Sequence, residues 1–100
     1  MNNEFKTAVY SVICAIPEGH VASYGHIAKL AGAPKHARAV GYLLKHLPSG
    51  SEIPWYRVVN SQRKISFPAD SVDYQRQLQA LHSEGVLLVN GRVKINQFLG

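Results

Sequence analysis

Apolar residues recur with helical spacing at the head of the chain. Phe5, Ala8, Val9, Val12, Ile13 and Ile16 form one stripe of an amphipathic helix that Pro17 cannot continue. Cys14 lies on the opposite side of that wheel, and nothing nearby marks it as an activated thiol. After the turn Pro17-Glu18-Gly19, Ser23 is placed to N-cap a second short helix containing Ile27, Ala28, Leu30 and Ala31, which Gly32 closes. Ala33-Pro34 then breaks the chain sharply. A third helix is expected from Lys35 to His46, with Ala37, Val40, Leu43, Leu44 and Leu47 on one stripe and Lys35, Arg38, Tyr42 and Lys45 on the other. Two short helices joined by a Gly-Ala-Pro turn read as a helix-turn-helix.

The second half is more irregular. A Pro-, Ser- and Gly-rich loop from Leu47 to Glu52 precedes Ile53 to Val59, a segment whose mixed residues predict a buried, extended run. The polar stretch from Asn60 to Lys64 and the irregular Ser66-Phe67-Pro68-Ala69 lead into a fourth helix. That helix starts near Asp70 or Ser71, buries Tyr74, Leu78 and Leu81, and ends at Gly85. Val86 to Val89, the turn pair Asn90-Gly91 and Arg92 to Ile95 predict a type I′ hairpin with Val93 and Ile95 inward. The fold class expected is mainly α, a winged helix-turn-helix domain with a small C-terminal β-hairpin, spanning residues 1–100 as a single domain.

Composition narrows the chemistry. The 100 residues are 46% hydrophobic and only 17% charged, which excludes disorder and suits one ordinary core. One cysteine forms no internal disulfide, and no Cys/His cluster has zinc-ligand spacing, so a reducing setting and a fold without metal or cofactor are expected. No apolar run approaches the roughly 18 residues of a membrane span. No membrane partner is expected, and the cytoplasm is the expected location. Net charge is +5, which favours an anionic partner. Its distribution says more: no acid occurs between Glu18 and Glu52, whereas Lys29, Lys35, Arg38 and Lys45 all fall on the helix-turn-helix region. A basic patch on that motif points to nucleic acid. Ala37, Ala39 and Gly41 surround Arg38, so the third helix suits close backbone approach better than base-edge readout.

Three ordered motifs then carry a resemblance over roughly residues 5 to 95. They are Pro17-Glu18-Gly19 with Val21-Ala22-Ser23-Tyr24-Gly25-His26-Ile27-Ala28, Gly32-Ala33-Pro34 with Ala37-Arg38-Ala39-Val40-Gly41, and Ile53-Pro54-Trp55-Tyr56-Arg57-Val58-Val59. Together they resemble the C-terminal, DNA-binding domain of the O6-alkylguanine-DNA alkyltransferases. Those enzymes carry Pro-Cys-His-Arg-Val where this chain has Pro54-Trp55-Tyr56-Arg57-Val58. Alkyl transfer needs a polarisable nucleophile and a group to accept its proton. An indole offers no lone pair for displacement, and a phenol of pKa about 10 is a poor base at neutral pH. The chain is therefore similar to the alkyltransferase-like proteins, the non-enzymatic branch of that family.

The resemblance implies a monomeric sensor that binds O6-alkylguanine in double-stranded DNA, rotates the damaged nucleotide into a pocket and marks the site for nucleotide excision repair proteins. It implies no catalytic residue. DNA contacts are expected from Ser23, Tyr24, Lys35, Ala37, Arg38, Ala39, Gly41, Lys45 and Ser61. A lesion pocket is expected from Tyr24, Trp55, Tyr56, Val58, Phe67, Pro68 and Ala69. By family position, Arg38 fills the space left in the base stack, Tyr24 crowds the adjoining phosphate, and the Val58 carbonyl meets the guanine amine. Tyr56 either lines the pocket or holds its loop, and Arg57 is expected to be a structural ion pair or carbonyl clamp. The Phe67-Pro68-Ala69 wall departs from the polar or basic residues common in relatives. Two alternatives stand beside this reading: a winged-helix transcriptional regulator, and residual alkyl transfer to Cys14.

Overall fold

The computed structural model describes residues 3–100. Helix α1 spans Asn3–Cys14 and puts Val9 and Ile13 fully inside, the centre of the stripe that the spacing predicts. Strand β1 is the pair Ala22–Ser23, and α2 follows at once over Tyr24–Leu30. Ser23 caps α2, its side-chain oxygen accepting the His26 amide at 3.1 Å. Beyond α2 the Ala33 amide donates to the Ala28 carbonyl (2.9 Å) and the Gly32 amide to the Lys29 carbonyl (3.0 Å). This paired closure needs a left-handed residue at its centre, and Gly32 has φ +86°. Helix α3 covers Ala37–Lys45 and starts two residues later than the sequence suggests, so Lys35 sits in the connector. The side chain of its N-cap, His36, makes no capping bond.

The segment Ile53 to Val59 corrects an expectation. Trp55–Arg57 is a single 3₁₀ turn, and only Val58–Val59 is strand, β2. The Pro54 carbonyl accepts from the Arg57 amide at 3.1 Å and the Ile53 carbonyl from the Trp55 amide at 2.8 Å, so the backbone satisfies itself locally instead of in a ladder. Helix α4 runs over Val72–Ser83 with Ser71 as N-cap, and closes on Gly85 with the same bonding pattern as α2. The hairpin consists of β3, Leu88–Val89, and β4, Arg92–Val93. Asn90 and Gly91 both have positive φ, as a type I′ turn requires. Val93 is fully buried, but Ile95 is 68% exposed and enters a second 3₁₀ turn, Ile95–Gln97. The inward placement expected for Ile95 is therefore wrong: the ladder ends at Val93, and the alternation ends with it.

Two cores share β1 and β2. Val9, Ile13, Ile16, Ala22, Ile27, Ala28, Val40, Leu43 and Val58 join the first three helices. Val21, Val59, Ile65, Leu81, Val86 and Val93 join α4 to the hairpin. Each large side chain fully buried here contributes about 1.5–3 kcal/mol. The parallel pairing Ala22↔Val58 and Ser23↔Val59 alternates sides, so Ala22 and Val58 serve the first core while Val59 serves the second. The far edge of β1 is covered by the segment after the hairpin. The Val21 amide donates to the Gln97 carbonyl (2.8 Å), the Leu99 amide to the Val21 carbonyl (2.8 Å) and the Ser23 amide to the Gly100 carbonyl (2.7 Å). The described residues thus form four α-helices and two short two-stranded ladders.

Candidate nucleic-acid interface

Helix α3 and the 3₁₀ turn form two walls of a cleft of about 580 Å³, within the range of small-ligand pockets. Tyr24, Ala37, Arg38, Gly41 and Lys45 line it from the helical side; Trp55 and Val58 line it from the turn, with Phe67 and Pro68 beyond. The structure thus brings together nine of the predicted residues. Its lining also includes Ser66, at the start of the 66–70 loop expected to form the other wall, and Tyr42, Leu44 and Gln77, which the sequence did not place there.

Each wall has a physical cause. The Trp55 ring meets Phe67 edge-on (centroids 6.5 Å apart, interplanar angle 82°) and Tyr56 likewise (5.8 Å, 81°). The Arg76 guanidinium lies over the indole at 5.8 Å from its centroid. Phe67 therefore adds an aromatic contact to the indole beside those of Tyr56 and Arg76. Ser71 ties the 66–70 loop down, its hydroxyl donating to the Pro68 carbonyl at 2.7 Å while accepting the Tyr74 amide at 3.1 Å. On the helical wall a methyl group at Gly41 would stand 3.8 Å from the Tyr24 ring, so the glycine keeps the ring's flank open.

Gln77 is the functional-looking residue that the sequence does not announce. It is 2% exposed, and its Nε2 donates to the carbonyls of Tyr56 (3.1 Å) and Val58 (2.9 Å). The amide thereby fixes the backbone of the turn and occupies one acceptor direction of Val58. Gln77 sits three residues after Tyr74 and four before Leu81, a polar side chain on an apolar stripe, and that mismatch is the one signal that could have found it.

Behind the turn, Arg57 makes the clamp that its position suggested. Its Nε and Nη2 donate to the two carboxylate oxygens of Glu84 (2.9 and 2.5 Å), and Nη1 donates to the Ile16 carbonyl (2.9 Å). The Tyr56 hydroxyl donates to the same carboxylate at 3.1 Å. Hydrogen bonding from Arg57 holds the Glu84 carboxyl below the usual carboxylate range against the opposing effect of burial. Burial, and then the Glu84 bond, push the Tyr56 phenol up.

The remaining predicted residues fall elsewhere. Tyr56 does not line the cleft; its hydroxyl bond assigns it to holding the loop. Ala69 is exposed on the 66–70 loop outside the lining, and Ser61 is exposed in the turn after β2. Ser23 is 6% exposed and engaged as a cap, Ala39 is half-buried, and Lys35 is exposed before α3. Arg38 is exposed at the cleft and has no hydrogen-bond or ion-pair partner among the described residues. No carboxylate lines the cleft among those residues. Cys14 is exposed on α1 and is not part of the lining.

Comparison with known proteins places this arrangement. Residues 4–86 match the family model of the 6-O-methylguanine DNA methyltransferase DNA-binding domain. The chain is 46% identical over 97 residues to the DNA base-flipping protein of Escherichia coli K12, covering 96% of this chain and 74% of that one. It is 43% identical to Alkyltransferase-like protein 1 of Schizosaccharomyces pombe, covering 94% of this chain and 90% of that one. It also superimposes on the crystal structure of S. pombe Atl1 in complex with damaged DNA containing O6-carboxymethylguanine, with a TM-score of 0.86 and 39% identity over 100% of this chain and 98% of that one. With an aromatic cleft and a tryptophan at its turn, the chain belongs to the family of 6-O-methylguanine DNA methyltransferase DNA-binding domains, in its alkyltransferase-like branch.

Proposed function

We propose that this chain is a non-catalytic sensor of O6-alkylguanine in duplex DNA. The observation that carries the reading is Trp55 in the wall of a cleft of about 580 Å³; by the resemblance of its motif, this is the position at which the family's enzymes carry a thiol. An indole takes no alkyl group, so a nucleotide rotated into the cleft is held and released unrepaired. Arg38, exposed and without a hydrogen-bond or ion-pair partner among the described residues, is free to enter the stack as the nucleotide leaves; a planar cation there offsets part of the unstacking cost of a few kcal/mol. Helices α2 and α3 act as a helix-turn-helix with the β3–β4 hairpin as its wing. The names of the base-flipping relative and the damaged-DNA complex of the S. pombe protein support this reading. A held, unrepaired base is a signal for other proteins to act on, and nucleotide excision repair is the proposed consequence.

The test uses matched duplexes carrying guanine or O6-methylguanine. The expected result is tighter binding to the methylated duplex, the methyl group retained on DNA, and a protein mass unchanged after incubation. A stoichiometric gain of one methyl on the protein would overturn the reading, and its disappearance in Cys14→Ser would place residual transfer on that thiol.

A further inference from the structure

The hairpin lies beyond the segment that matches the methyltransferase family model, which ends at residue 86. Its strand β4 continues onto the chain that leads into the cleft. Lys64 bridges Arg92 in antiparallel register, and the Val93 amide donates to the Arg63 carbonyl at 2.8 Å. Directly opposed residues in such a pair project to the same face, about 4.5–5.5 Å apart at their Cα atoms. Two cations are therefore held side by side, an arrangement that destabilises a sheet unless an anion lies between them. Arg92 is exposed and Lys64 half-buried; Lys94, two residues along the chain from Arg92, is exposed as well. None of these three side chains has an ion-pair partner among the described residues, where the ion pairs are Arg57–Glu84 and Arg76–Asp73.

The pair also stands next to the cleft. Ile65 is 6% exposed and packed in the second core; of its neighbours, Lys64 is half-buried and Ser66 is exposed and lines the cleft. Two residues of extended chain span about 7 Å, close to the spacing of successive phosphates along one strand.

We propose that Lys64 and Arg92, with Lys94 flanking them, form a second phosphate-binding site that grips the DNA backbone beside the nucleotide in the cleft. The site takes phosphodiester oxygens and reads no base. This rests on the DNA-sensor reading and extends the contact surface from α3 to the hairpin.

The test is fluorescence anisotropy with the full chain over a salt series, on guanine and O6-methylguanine duplexes with long flanks. Each phosphate that the protein ceases to neutralise lowers the slope of log affinity against log salt by about 0.9. Lys64→Gln/Arg92→Gln is expected to lower it by about 1–2 and to weaken both duplexes about tenfold at low salt. The ratio between the duplexes should not change, and the charge-keeping Lys64→Arg/Arg92→Lys should behave as wild type. A double glutamine variant that melts normally and keeps the wild-type slope would overturn the proposal, and would direct the cations to an acidic protein instead. A wild type with no preference for the methylated duplex would overturn the sensor reading alone, because the slope comparison is read on either duplex.

Discussion

The Arg57 guanidinium is consumed by three hydrogen bonds to Glu84 and the Ile16 carbonyl, whereas Arg38, exposed at the cleft, has no partner among the described residues. Arg38 lines the helical wall of the cleft, and Arg57 stands behind the opposite wall, the turn. One is largely shielded behind the turn, with 14% of its side chain exposed, where an unpaired charge would be costly, so the fold supplies a bidentate carboxylate and a carbonyl. The other is left in solvent, where an unpaired charge costs little and remains open to a ligand. The difference separates residues that hold the cleft in shape from residues that act through it, and it makes opposite predictions for stability and binding.

The largest effect is expected on the buried side. Glu84→Ala leaves the Arg57 charge without its partner and should destabilise the fold by about 3–5 kcal/mol, read as a lower urea midpoint. Arg38→Ala should reverse the pattern: affinity for the O6-methylguanine duplex falls by about 2 kcal/mol, roughly 30-fold, while the urea midpoint stays within about 0.5 kcal/mol of wild type. An Arg38 variant that unfolds more easily yet binds normally would break the comparison.

A smaller effect sharpens it through pH. The folded state holds the Glu84 carboxyl below its ordinary range, so it contributes stability that is fully present above the unfolded carboxylate pKa. That contribution vanishes as pH falls through the depressed folded value. Between about pH 7 and about pH 3 the wild type should lose more stability than Glu84→Gln, whose amide does not titrate. The smallest change is expected at Gly41→Ala. The added methyl meets the Tyr24 ring at ordinary contact distance, so the helix gains about 0.5–1 kcal/mol in stability. The same methyl narrows the cleft wall and should lower DNA affinity by less than the Arg38 change does.

The helices were legible because their signals are local. Ser23, Gly32, Ser71 and Gly85 mark ends by side-chain chemistry or φ, and the stripes of α1 and α3 name their inner faces. The 3₁₀ turn was not legible, because Trp55-Tyr56-Arg57 looks apolar and β-prone until Glu84, far along the chain, is known to be its anchor. The exposed Ile95 and the pairing of residues 97–100 with Val21 and Ser23 depend on backbone bonds that carry no side-chain pattern. Of the cleft, the motif residues Tyr24, Arg38 and Trp55 could be named, but Gln77 works through carbonyls and leaves only a misplaced polar residue as its trace.

The strand that launches α2 is edged by residues 97–100, so its hydrogen bonds join early and late parts of the described chain. During synthesis the helices of the first core emerge well before that edge exists. A ribosome-bound intermediate lacking it has the Val21 and Ser23 amides facing water, and loop closure over most of the described residues must precede their burial. The edge of β1 is therefore the last hydrogen-bonded part of the described chain that synthesis can complete.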